Sequence, residues 1–135
     1  MSQDLVLSNA RIVLADDILH GSILIRDGLI ADISEGPAAI GEDVDGDFVI
    51  PGLVELHTDH LESHYSPRPG VRWSMMSAIQ AHDAQIVTSG ITTVFDCLRM
   101  GSDEDGGFAQ GEMRDMADAL ALAARENRLR ADHLI

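Results

Sequence analysis

The stretch GLVELHTDHLESHYSPRPG, residues 52–70, decides how this chain folds and what it can do. It holds three of the six histidines, His57, His60 and His64, together with Glu55, Asp59 and Glu62. On a helix the three histidines would share one face, being three and four residues apart. Zinc peptidases use two histidines four apart with a glutamate base, in the pattern H-E-x-x-H. Here the string is H-L-E-S-H, with Glu62 in the middle. On a helix Glu62 would point about 200° away from His60, off the metal face. Pro67 and Pro69 also prevent a long helix. On a strand, side chains alternate, so His57 and Asp59 point the same way and Thr58 the other. An imidazole nitrogen and a carboxylate oxygen then converge, a donor pair suited to Zn²⁺ or Mn²⁺.

Working outward, FVIPGLVELH (residues 48–57) is a nearly continuous apolar run, the pattern of a strand covered on both faces. Pro51-Gly52 would let the chain enter that strand sharply. Residues 61–72 read as irregular. WSMMSAIQAHDAQIVTSG (73–90) has helical spacing and stops at Gly90, a C-cap signal. ITTVFDCL (91–98) is a β-branched strand, residues 101–112 are a Gly/Asp/Glu loop, EMRDMADALALAARENRL (112–129) is an amphipathic helix, and ADHLI begins another strand. Strand and helix therefore alternate from residue 48, which implies parallel strands joined by crossover helices.

Residues 4–35 read instead as short strands, with Ser8-Asn9 as a bend. Asp27-Gly28 sits between apolar runs as a two-residue hairpin signal. Residues 35–47 read as a Gly/Pro/Asp-rich loop with room for a short strand at its end. The organisation expected is a small β domain over 1–47 and β/α units over 48–135. A chain that ends on an apolar strand start leaves a parallel edge unpaired, which points to the front portion of a longer protein.

The 135 residues carry a formal charge of −14, and all nine basic residues are arginines. Such a surface repels nucleic acid and anionic membranes, so neither is an expected partner. The single cysteine, Cys97, allows no internal disulfide and suits a reducing cytoplasm. The N-terminus lacks the basic start and apolar core of a signal peptide. With no lysine there is no Walker-type phosphate loop. Asp43, Asp45 and Asp47 have EF-hand spacing, but Phe48 replaces the required glycine. These aspartates, like Asp103-Glu104-Asp105, read as solvated turns.

VIPGLVELHTDHLESHYSPRPG and AHDAQIVTSGITTVFDCL closely resemble the amidohydrolase superfamily, specifically its phosphonate subgroup. The superfamily opens with Pro-Gly, an apolar strand and His-x-His. Asp59 stands here where the second histidine would be, and E-L-H-T-D is the subgroup's own variant. The resemblance implies the α/β class: the start of a metal-dependent (β/α)₈ TIM-type barrel, preceded by a small β-sandwich-like domain and cut off at barrel strand three. It implies a cytoplasmic hydrolase, holding one or two zinc or manganese ions, that releases diphosphate from a ribose 5-triphosphate bearing a 1-methylphosphonate. The family's later site residues lie beyond Ile135, so the chain alone is expected to be inactive. Two alternatives are another amidohydrolase acting on a C–N bond, dihydroorotase- or deaminase-like, and a non-catalytic fragment. A homo-oligomer is compatible with all three.

His57 and Asp59 are the expected metal ligands, and no catalytic acid is assigned. The substrate is a small phosphorylated sugar, and an acidic protein needs local cations to hold it. Arg68 and Arg72 follow the metal strand and could bind phosphate through bidentate contacts. His64 and Glu62 are further substrate-binding candidates, His60 a weaker one, since site residues gather on such loops. His82-Asp83 reads as a helix-surface or packing pair, Asp96 as a residue that could face the site, and Cys97 as a small buried apolar residue. Trp73, Met75 and Met76 read as packing residues, and His20 and His133 as structural.

Overall fold

The computed structural model describes residues 4–99 and 110–135, so Asp103-Glu104-Asp105 lies outside the described residues. The chain falls into two compact units that divide between Pro51 and Gly52. In the first, β1 (Leu5–Val13), β2 (Ile18–Arg26) and β3 (Leu29–Glu35) form an antiparallel meander. Asp27 and Gly28 join β2 to β3 at φ 52° and 78°. Two consecutive positive φ values are what the tight hairpin turn requires. Asn9 also has positive φ, and the register of β1 against β2 shifts between Leu7 and Ala10. The bend expected at Ser8-Asn9 is thus an irregularity within one strand. Ala10, Ile12 and Ile23 are the buried core of this unit.

Two short strands, β4 (Glu42–Asp43) and β5 (Phe48–Val49), pair parallel with β1. β5 corrects the reading of FVIPGLVELH as one strand. Arg11 and Ile12 capture Phe48 and Val49 for the first sheet. The chain then breaks at Pro51, which has no N–H for a ladder, and resumes as β6 (Leu53–Thr58) in the second unit. The first unit accordingly reaches Pro51, where the sequence pattern suggested residue 47. Asp43 accepts hydrogen bonds from Asn9 Nδ2 and the Asp45 N–H at 2.9 and 2.8 Å, within an exposed turn.

The second unit runs β6, α1 (His60–Tyr65), α2 (Met75–Thr88), β7 (Ile91–Asp96), α3 (Gln110–Arg125) and β8 (Asp132–Leu134). Its sheet has the order β6-β7-β8, parallel throughout. The alternation visible in the sequence is therefore observed. α1 is a departure, because residues 61–72 read as irregular. Leu61 is buried in the helical core with Tyr65 packed four residues on, and the helix ends at Ser66, just before Pro67. α2 ends at Thr88, and Gly90, at φ 79°, turns the chain into β7.

Leu61, Ala78, Ile79, Leu120 and Ala123 form the core among the helices, with Met75 and Met76 against it. Trp73 does not join them and is exposed. A second cluster, Ile86, Val94 and Ala131, seals α2 onto the sheet. Along β7, Val94 and Asp96 are buried while Phe95 between them is exposed. Val54, Leu56 and Leu134 are exposed too, Leu56 at 73%. Within this chain, therefore, β6 is not covered on both faces. No helix among the described residues is long and apolar enough to cross a membrane.

Gly52 is needed for closeness rather than for a sharp turn, since it is not at positive φ. A Cβ there would lie 2.1 Å from Thr92 Oγ1 and 2.7 Å from Thr92 Cβ. Rotating the threonine cannot clear its own Cβ, so the strands would have to part. Gly52→Ala is expected to cost about 1–3 kcal/mol, the usual range for overpacking, read as a lower urea midpoint. A variant as stable as the parent would show that the two strands have room to spare.

Candidate metal centre

β6 carries His57 near its end, and Asp59 follows directly as the residue capping α1. The pairing of β6 with β7 shifts by one residue between Glu55 and Thr58: Glu55 is opposite Val94, Thr58 opposite Asp96. Such a shift inserts an extra residue into one strand and re-aims side chains. The strict alternation used to place His57 and Asp59 therefore does not continue through this end of β6. Both residues nonetheless line one cavity of about 300 Å³, with Glu55, His60, Gln85 and Ser89 also on its wall.

His57 has its Nδ1 3.2 Å from Cys97 Sγ. The Cys97 N–H donates to the Thr58 carbonyl at 2.8 Å, which fixes the backbone between the two expected ligands. Cys97 is only partly buried, and its sulfur touches a ring nitrogen, so it is not the inert packing residue expected. Asp59 is 44% exposed and has Arg99 Nε 3.6 Å from its carboxylate. The donor set fits a divalent transition ion: an imidazole with Nδ1 engaged and Nε2 left for a ligand, and an accessible carboxylate on the same cavity.

The remaining residues expected to touch substrate are each placed differently. Glu62 is buried and accepts from the Arg99 backbone N–H at 2.7 Å and from Arg99 Nε at 3.0 Å. His64 Nε2 is 2.8 Å from Gln85 Oε1. Arg72 donates to Glu112 at 2.9 Å and to Ser66 at 2.6 Å, with its guanidinium over the Tyr65 ring. Arg68 is exposed and bridges to Val71 through its backbone. His60 donates its backbone N–H to Thr58 Oγ1 and stands on the cavity wall. The sequence reading missed Arg99, which stands beside the candidate ligand Asp59. Its position after strand ITTVFDCL was the available signal.

Between α2 and the sheet lies a second polar cluster that the sequence did not reveal as one. Asp96 does not face the cavity; it is buried against α2 and β8. Its Oδ1 is 2.7 Å from His82 Nε2 and its Oδ2 2.7 Å from His133 Nδ1. Asp83, next to His82, accepts from the backbone N–H groups of Arg130 and Ala131 and from the Arg130 guanidinium. Its Oδ1 is 3.5 Å from His133 Nε2. Of the two readings of His82-Asp83, the packing pair is the one observed, not the helix-surface one, and His133 is structural as expected.

Burial alone would push the Asp96 carboxyl up. Hydrogen bonds from His133 and His82, joined by their charges, more than offset this and hold it below the ordinary carboxylate range. Asp83 is likewise held down against burial by the N–H groups of Ala131 and Arg130. Burial pushes the His133 imidazole down, but the hydrogen bond to Asp96 and the charges of Asp96 and Asp83 raise it above its usual value. Two carboxylates thus face one guanidinium and the His133 ring. His82, Asp96 and His133 are also close enough to hold an ion. Short hydrogen bonds already take both oxygens of Asp96, however, and the three side chains are sealed from solvent.

No protein-family profile matches the chain. Over 131 residues, 96% of its length, it is 36% identical to the alpha-D-ribose 1-methylphosphonate 5-triphosphate diphosphatase of Escherichia coli K12, of which it covers 35%. It is 32% identical over 97 residues to the L-hydantoinase of Paenarthrobacter aurescens, covering 69% of this chain and 20% of that enzyme. The chain thus spans about a third or less of the relatives it matches. Among solved structures, an amidohydrolase superposes on 98% of the chain with a TM-score of 0.60 at 20% identity, and 30% of that structure is covered. At that identity the likeness concerns the fold. In sequence this chain is similar to the diphosphatase and the hydantoinase, and its fold is similar to that of a solved amidohydrolase.

Proposed function

We propose that this chain belongs to a metal-dependent hydrolase that releases diphosphate from a ribose 5-triphosphate bearing a 1-methylphosphonate. The observation that carries the hydrolase reading is that His57 and Asp59 line a single cavity alongside the parallel strand β6. The likeness to the Escherichia coli diphosphatase supports the substrate. In this reading β6, β7 and β8 are successive strands of a (β/α)₈ barrel, whose active sites form at the C-terminal strand ends. The exposed apolar residues Val54, Leu56, Phe95 and Leu134 support it, because an isolated sheet gains nothing by leaving them in water.

His57 Nε2 and the Asp59 carboxylate would hold a zinc or manganese ion. When bound, such an ion lowers the pKa of water to about 7 and offsets charge developing on a phosphoryl oxygen. The protein's part is to orient the two ligands and bring a cation to the anionic substrate. Arg99, beside Asp59 and held by Glu62, is placed for that. Arg68 is exposed and could add a phosphate contact at the rim.

The test uses the protein at the length its gene encodes, given the ribose triphosphate and a divalent metal. Diphosphate should be released, and Asp59→Ala should lower the rate by about two orders of magnitude or more, the scale seen when one transition-state-stabilising group is removed. Ring opening of a hydantoin without diphosphate release would favour the C–N alternative.

A further inference from the structure

We infer that Cys97 is a positioning residue for His57: its sulfur accepts the Nδ1 proton of the imidazole and so dedicates Nε2 to a metal ion. This rests on the metal-site reading above, but it makes a claim about the ring that holds with or without an ion.

The direction of the hydrogen bond follows from what surrounds the sulfur. A thiol is both a weak donor and a weak acceptor. Cys97 has two neighbours for these roles, His57 Nδ1 at 3.2 Å and the Phe95 carbonyl at 3.9 Å. Given to that carbonyl, which can only accept, the S–H leaves the sulfur lone pairs turned towards His57, and Nδ1 supplies the proton; an S–H aimed at Nδ1 instead would leave an Nε2–H ring. The relay reads Nδ1–H to Sγ, then Sγ–H to the carbonyl oxygen of Phe95. Nε2 is left with a bare lone pair, the form that binds a cation.

The position of Cys97 is itself fixed. Its N–H is tied to the Thr58 carbonyl, between the two ligands. Its neighbour Asp96 is clamped by His82 and His133. The sulfur therefore has little freedom to leave the ring. Partners that hold the second nitrogen of a metal-binding histidine are worth about ten- to a hundredfold in metal affinity.

Two measurements on the full chain test this. The first is the tautomer of His57 without metal, read from ¹⁵N imidazole shifts and couplings. The parent should show Nδ1–H. Cys97→Ala should revert to Nε2–H, the form a free imidazole prefers, while Cys97→Ser keeps Nδ1–H because a hydroxyl oxygen also accepts. The second is metal affinity. Zn²⁺ or Mn²⁺ should bind about ten- to a hundredfold more weakly to Cys97→Ala, with most of the loss restored in Cys97→Ser. An Nε2–H ring in the parent overturns the inference, as does unchanged affinity in Cys97→Ala. A sulfur-to-cobalt charge-transfer band in the Co²⁺-loaded protein also overturns it, since Cys97 would then be a ligand. If the parent takes up no ion, the metal-site reading fails, and the tautomer still decides the role of Cys97.

Discussion

Replacing Asp96 with alanine is expected to cost about 3–5 kcal/mol of folding stability, the range for removing one partner from a buried charge pair. The carboxylate is the shared acceptor of His82 and His133, and its loss leaves two buried rings without their short hydrogen bonds. Asp96→Asn keeps the shape, but its single amide oxygen replaces two carboxylate acceptors. Denaturant titration of the far-ultraviolet signal checks the loss, and a change below about 1 kcal/mol would show that the cluster is not a structural clamp.

The same clamp sets a pH dependence with a definite sign. His133 is raised in the folded state, so its contribution is complete below about pH 6.5 and is lost as pH rises through the raised value. Asp83 and Asp96 are lowered, so theirs is present above about pH 3.9 and is lost as pH falls through the lowered values. From this cluster, stability should be greatest between about pH 4 and 6.5 and decline on the alkaline side. A protein-wide profile that rises steadily through pH 7 would contradict a raised His133. Chelation separates the proton-held cluster from an ion-held one: the former keeps its unfolding midpoint in excess chelator.

His57→Ala and Asp59→Ala are each expected to abolish stoichiometric binding of zinc or manganese. The loss should exceed the roughly ten- to hundredfold that supporting partners cost, because each removes a direct ligand. Elemental analysis after dialysis, with equilibrium titration of Zn²⁺ and Mn²⁺, reads it. Both residues lie at the end of β6 and on solvent-accessible surface, so neither truncation should unfold the chain. Metal content unchanged in both variants, but lost in His82→Ala, would move the ion to the buried cluster between α2 and the sheet.

The amino-acid sequence determined the alternation of the second unit, because helical and strand periods leave distinct apolar patterns. It determined the Asp27-Gly28 hairpin, since few residue pairs tolerate two positive φ values. It also singled out His57 and Asp59, whose closeness along the chain brings them to one cavity. What only the tertiary structure decided involves pairs far apart in sequence. Asp96 and His133 are 37 residues apart, and Cys97 and His57 are 40 apart. Local periodicity carries no record of such meetings. The split of FVIPGLVELH between two sheets is of the same kind: an apolar run shows that residues avoid water, while the partner strand is chosen by β1 and β7, which lie elsewhere in the chain.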